Sequence, residues 1–193
     1  MTSFPFVLPS NIVCHNVLAH ADLHCGIDLK AAVKIFRNAE YDPVKFACVR
    51  VRYWQHGCTV SIFSNGKVQT AGGKSTEEAR LALKKAAYRL KTKGVNDKVR
   101  FTGFRVENIL ATMDLGVSMN LLGLSRDREI VSTYEPTRFS AVVIRDPAGS
   151  GVTIDVFSTG KVNLKGSEST DKLCTAVNKV MHILQRHACE ALE

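Results

Sequence analysis

Tyr41-Asp42-Pro43-Val44-Lys45-Phe46 and Tyr134-Glu135-Pro136-Thr137-Arg138-Phe139 are two copies of one pattern: aromatic, acid, proline, a variable position, base, phenylalanine. Two further pairs keep nearly the same spacing. Asn16-Val17-Leu18-Ala19 returns as Asn108-Ile109-Leu110-Ala111, and Phe63-Ser64-Asn65-Gly66-Lys67-Val68 as Phe157-Ser158-Thr159-Gly160-Lys161-Val162. A period of 92 to 94 residues is well beyond the roughly 20 to 50 residues of solenoid and propeller repeats, so each copy is a domain half.

Each copy changes from period two to period 3.6 in the same order. Cys58–Phe63 and Val152–Phe157 alternate, and each leads through a Gly-Lys turn into a second alternating run, which predicts a hairpin. Ser75-Thr76-Glu77-Glu78 is a capping box before the helical run Ala79–Leu90, which has a basic outer face and ends at Gly94. The matching segment, Ser169–His187, spaces Leu173, Val177, Val180, Met181 and Leu184 as a helix does. Shorter helical candidates lie at Asp28–Arg37 and Asn120–Glu129. Each half therefore reads strand, short helix, three antiparallel strands, long helix, with boundaries at 12–103 and 104–188.

The 193 residues carry a formal charge of +8, unevenly distributed. Residues 1–105 hold 17 Lys and Arg against 7 Asp and Glu, whereas residues 106–193 hold 9 against 11. A strongly basic half suggests a polyanion partner, since neutralising phosphates releases counterions and gives affinity independent of sequence. No run approaches the roughly 18 apolar residues of a membrane span, and the start lacks a signal-peptide layout, so a soluble, unexported protein is expected. Six cysteines without a Cys-x-x-Cys pair read as reduced thiols. Cys14, His15, His20, His24 and Cys25 meet no zinc spacing, so no metal and no cofactor are expected. No Ser/His/Asp arrangement or phosphate-cradling loop is evident, and an enzyme is not expected.

Alternation assigns the two faces of the strands. Ala47, Val49, Val51, Val60 and Ile62, and in the copy Val142, Ile144, Ile154, Val156, Val162 and Leu164, belong under the helices. The other face collects Asn16, Leu18, Phe46, Arg50, Arg52, Ser61, Phe63, Lys67 and Gln69, then Asn108, Leu110, Phe139, Val143, Arg145, Asp155, Phe157, Lys161, Asn163 and Lys165. No helix remains to cover it, and four phenylalanines on an open face point to a binding surface.

These residues resemble the TATA-box-binding protein family from about Asn16 to about His187. The most specific pieces are Arg37-Asn38-Ala39-Glu40-Tyr41, Ser132-Thr133-Tyr134-Glu135-Pro136 and the two Phe-Ser-x-Gly-Lys turns. The resemblance implies an α+β fold, a pseudo-twofold saddle of two repeats forming one curved antiparallel sheet with helices on the convex face. It implies a general transcription initiation factor of the nucleus that binds and bends promoter DNA through the minor groove and nucleates a preinitiation complex. Phe46, Phe63, Phe139 and Phe157 match the wedges that enter base steps. Asn16 and Asn108 match central donors to groove acceptors, Leu18 and Leu110 the floor beside them, and Arg52, Arg145, Lys67, Lys161 and Lys74 cations that meet phosphates.

The resemblance also implies partner surfaces. Asn38 and Glu40 match positions offered to a transcription factor IIA-like partner, Glu135 one offered to a IIB-like partner, and Arg80, Lys84 and Lys85 a helix used by other promoter-complex subunits. A homodimer of the free protein belongs to the same set. The floor departs from the family at Ser61, Gln69 and Ala71, and at Asp155, Asn163 and Lys165. A groove-facing Asp155 repels the groove unless Lys165 or Lys161 pairs with it, so relaxed TATA specificity is expected. The alternative is a promoter-complex scaffold recruited by proteins, with little direct DNA binding.

Overall fold

Ten strands and four helices form the described part of the computed structural model, which comprises residues 7, 9–53 and 57–189. The chain is α+β and divides into two compact units. The first is His15–Glu107; the second joins Met1–Cys14 to Asn108–Glu193.

In the first unit the elements are β1 (Val13–Asp22), α1 (Leu29–Ile35), β2 (Ala39–Glu40), β3 (Cys48–Tyr53), β4 (Cys58–Phe63), β5 (Lys67–Gly73) and α2 (Thr76–Thr92). The strands are antiparallel in the order β2-β3-β4-β5-β1. The second unit repeats this with β6 (Thr102–Asp114, of which the residues up to Glu107 belong to the first unit), α3 (Leu121–Ser125), β7 (Ser132–Thr133), β8 (Ala141–Arg145), β9 (Thr153–Phe157), β10 (Lys161–Ser167) and α4 (Thr170–Arg186). Its order is β6-β10-β9-β8-β7, again antiparallel. The sequence reading omitted β2 and β7, because two residues cannot display an alternation.

One face of each sheet carries the core. In the first unit Val49, Val51, Val60, Ile62 and Val68 pack with Ala82, Leu83, Ala86 and Leu90 of α2 and Ala32 of α1. The second unit buries Val142, Ile144, Ile154, Val156, Val162 and Leu164, together with Leu173, Val177 and Leu184 of α4. Each Val, Ile and Leu among them contributes about 1.5–3 kcal/mol when fully buried. Ala47, expected in this set, is exposed: it lies in the bend after the Asp42 turn, and β3 begins only at Cys48.

Local chemistry sets the helix ends. Ser75 Oγ accepts from Glu78 N–H at 3.1 Å, and Ser169 Oγ accepts from Lys172 N–H at 3.3 Å. Glu78 does not complete the capping box on Ser75, since its Oε2 accepts from the Lys74 N–H at 2.9 Å. Asp28 and Asn120 cap the short helices, which end at Ile35 and Ser125, earlier than the apolar spacing suggested.

Gly66 and Gly160 close the two hairpins at φ +85° and +83°. A Cβ at Gly66 would lie 2.2 Å from the Cys25 carbonyl oxygen, and one at Gly160 2.1 Å from that of Val117. The turn is pressed against the chain that follows β1 or β6, where Leu23 N–H donates to Gly66 O and Leu115 N–H to Gly160 O, both at 3.0 Å. This fixes the same Gly-Lys turn in both copies.

The second unit has an added clamp. Asp127, whose side chain is 5% exposed, accepts from Glu129 N–H at 3.0 Å, His187 Nε2 at 2.9 Å and Arg186 Nη1 at 3.0 Å. These bonds, the Glu129 N–H foremost, hold its carboxyl below the usual carboxylate range.

Two outcomes follow. Gly66→Ala forces both a positive φ and a backbone clash, and should cost at least about 2 kcal/mol in urea unfolding. A carboxylate whose pKa is depressed by folding stabilises above its unfolded value, near 4, and loses that contribution as the pH falls through the folded value. Asp127→Asn should therefore flatten the loss of stability between about pH 5 and pH 2, measured by thermal melts across that range.

Candidate nucleic-acid interface

The helix-free face of the first unit begins at the Asp42 turn, where Phe46 N–H donates to Asp42 O at 2.8 Å and delivers the Phe46 ring to the start of β3. Arg50 lies over that ring, its guanidinium carbon 3.5 Å from the centroid. Phe63 ends β4 opposite Cys48. In the second unit Phe139 N–H donates to Glu135 O at 2.9 Å, and Phe157 ends β9 opposite Ala141. Val143 replaces Arg50 there, and Phe139 meets Phe157 edge to face instead, centroids 5.7 Å apart at 74°. The wedge candidates are thus paired ring to ring in one copy and supported by a cation in the other.

Asn16 and Asn108 are held alike. Asn16 Oδ1 accepts from Gly72 N–H at 2.6 Å, and Asn108 Oδ1 from Gly166 N–H at 2.8 Å. The ladders slip register beside these glycines, which sit at φ +98° and +96°. The irregularity frees one backbone N–H, and the amide oxygen takes it. Only the oxygen can accept, so this bond fixes the orientation of each amide and leaves its NH₂ to donate elsewhere. The signal was present in the sequence as a glycine in each fifth or tenth strand, but a glycine alone does not name the side chain that satisfies the bulge.

The cations are distributed less evenly. Lys67, Lys74, Arg145 and Lys161 are exposed. Arg52 Nη2 stands 3.7 Å from Glu40 Oε1, linking a residue expected on DNA to one expected on a partner. Asn38, exposed, gives its carbonyl to Arg52 N–H at 2.9 Å. Glu135 pairs with Arg138 at 3.2 Å. On α2, Lys84 and Lys85 are exposed, and the Arg80 guanidinium lies 5.2 Å from the Phe104 ring centre. Leu18 is half-buried and Leu110 is 37% exposed.

Asp155 is not a bare charge. It is 2% exposed, and its Oδ2 accepts from Lys165 Nζ at 2.7 Å; its Oδ1 is buried with no hydrogen-bond partner among the described residues. The Lys165 side chain, 43% exposed, carries the polar group that replaces a bare carboxylate at this point of the floor.

Sequence reasoning missed a cluster in the first unit. His20 Nδ1 stands 2.7 Å from Glu107 Oε1, an ion-pair distance without the alignment of a good hydrogen bond, and Arg105 Nε donates to His20 Nε2 at 3.3 Å. Gln69 Nε2 donates to Glu107 Oε2 at 3.3 Å. With Phe63 and Lys67 these residues line an open cavity of about 740 Å³. Simple alternation hid Glu107, because β6 changes phase: Arg105, Glu107 and Leu110 are exposed while Ile109 and Ala111 are buried.

The sequence pattern of the family described as transcription factor TFIID (or TATA-binding protein, TBP) matches residues 11–93 and 103–187. The chain is 33% identical over 169 residues to the TATA-box-binding protein of Schizosaccharomyces pombe, covering 88% of this chain and 72% of that one. It is 32% identical over 174 residues to TATA-box-binding protein-like 1 of Entamoeba histolytica, covering 89% and 78%. The fold matches the solved structure of Methanococcus jannaschii TBP with a TM-score of 0.79 at 31% identity, over 91% of this chain and 99% of that one.

The Asp155–Lys165 pair predicts a specific stability pattern. Lys165→Met strands a buried carboxylate and should cost about 1–2 kcal/mol, discounted for the exposure of the lysine. Combining it with Asp155→Leu should recover most of that loss in chemical denaturation.

Proposed function

This chain belongs to the TATA-box-binding protein family, and from that premise we propose that it is a general transcription initiation factor that grips promoter DNA by the minor groove and bends it. The observation that carries the reading is the duplicated pair of amides, Asn16 and Asn108, each held at its oxygen by a bulge N–H, which leaves the NH₂ group to donate elsewhere. The minor groove of A·T pairs displays acceptors alone, which such donors fit.

Phe46 and Phe63 act as wedges for one end of the site, Phe139 and Phe157 for the other. Each opened base step costs a few kcal/mol, offset by the protein surface that a bent duplex brings into contact. Leu18 and Leu110 supply apolar floor. Lys67, Lys74, Lys161, Arg52 and Arg145 meet phosphates and make the affinity depend on salt. The scaffold reading rests on the polar floor at Asp155, Asn163 and Lys165; the Lys165 partner of Asp155 at 2.7 Å offsets the repulsion at that carboxylate and supports direct binding.

Other promoter factors would dock outside these faces. Asn38 and Glu40 suit a transcription factor IIA-like partner, Glu135 a IIB-like one, and Arg80, Lys84 and Lys85 an acidic subunit of the same complex. A second copy of this chain, covering the four Phe residues of the helix-free faces in the free state, would compete with DNA. The nucleus is the compartment that this role requires.

A fluorescence-bend assay on an A·T-rich duplex tests the reading. The double substitution Phe46→Ala, Phe63→Ala should abolish most of the bending while leaving salt-dependent, weaker association, because the phosphate contacts remain. Bending that persists in the double variant rejects the wedge assignment. Absence of any steep salt slope in the unaltered protein rejects direct binding.

A further inference from the structure

The polar floor of the first unit has a directional chemistry that the A·T reading does not use. Gln69 is one of the floor positions at which the sequence departs from the family it resembles, and its amide is oriented by Glu107: only Nε2 can donate to a carboxylate, so the 3.3 Å contact turns Oε1 away from Glu107. Glu107 is held in turn by His20 at 2.7 Å, and His20 by Arg105. His20 also faces Gln69 directly across the β1–β5 ladder. The carboxylate takes one Nε2 hydrogen and leaves the amide oxygen as an acceptor turned away from it, the reverse of the two asparagines, whose oxygens are taken.

In the minor groove only one base group calls for an acceptor. A·T pairs show acceptors in both orientations, while G·C adds the guanine N2 amino donor. A smooth apolar floor rejects that amino group by contact. Here the floor is recessed, because Gln69, His20, Glu107 and Phe63 line a cavity of about 740 Å³, ample for a base edge. We infer that Gln69, positioned by Glu107 and His20, reads a guanine amino group beside the step taken by Phe63. The site bound by this protein is then asymmetric. The first unit accepts a G·C pair, and the second presents the Lys165 ammonium, a donor suited to the acceptors of A·T. This rests on the DNA-binding reading above.

The test uses the full chain and a set of duplexes in which each A·T pair of an A·T-rich core is replaced in turn by G·C or by inosine·C. Inosine pairs as guanine does but lacks the N2 amino group. In competition binding, G·C should outcompete inosine·C about tenfold at one position or two adjacent ones. Gln69→Leu should bring that ratio to about one, and so should Glu107→Ala, which frees the Gln69 amide to rotate. The ratio is read within each variant, so a general change in affinity or stability cancels. Inosine·C equal to or better than G·C at every position overturns the inference and leaves the DNA-binding reading intact. So does a ratio that survives Gln69→Leu. A protein that binds none of the duplexes overturns both.

Discussion

Helices α2 and α4 cover one face of the sheets they follow and leave the other without a hydrophobic partner, and the rest of the structure depends on that one-sided burial. Val49, Val60, Ile62, Ile154, Val156 and Leu164 are fully or almost fully excluded from water, while Phe139 on the opposite face stays 41% exposed. Period-two geometry makes this unavoidable, because a strand that sends every second side chain into the core sends the others outward. The outward set is therefore free to diverge without unfolding the protein, provided that the backbone devices holding the strands are kept.

Those devices are the parts that match most closely between the copies. Gly66 and Gly160 adopt nearly the same φ and press on the same kind of carbonyl. Asn16 and Asn108 satisfy the same bulge, and Ser75 and Ser169 cap the same helix. Around this common frame the open faces differ in chemistry. The first has Arg50 on Phe46 and a Gln69 amide held by Glu107; the second has an aromatic pair and a Lys165 ammonium on Asp155. Equivalent backbones thus present unlike polar groups.

The long helices, the hairpins and the identity of the core positions were legible because they rest on periodicity and on residues with strong local rules: Ser at the cap, Gly after the turn. The four Phe residues were legible for the same reason, since alternation fixes their face. What alternation could not reach were contacts made by side chains far apart in sequence. Glu107 lies 38 residues from Gln69, and its face is set by a change of phase within β6. Asp155 and Lys165 are ten residues apart on neighbouring strands, and no local rule says that a carboxylate on an open face is buried by its partner.

The sequence by itself determined the duplicated strand and helix order, the helix caps, the turn glycines and which residues turn away from the helices, because each follows from the local geometry of a short segment. Only the tertiary structure decided how the polar groups on the open faces are held: Asn16 and Asn108 by their oxygens, Gln69 by its nitrogen, Asp155 by a lysine partner. A side-chain amide has both a donor and an acceptor, and a carboxylate can be bare or paired. Which one the solvent or a ligand meets is settled by the partner that folding brings within hydrogen-bond distance.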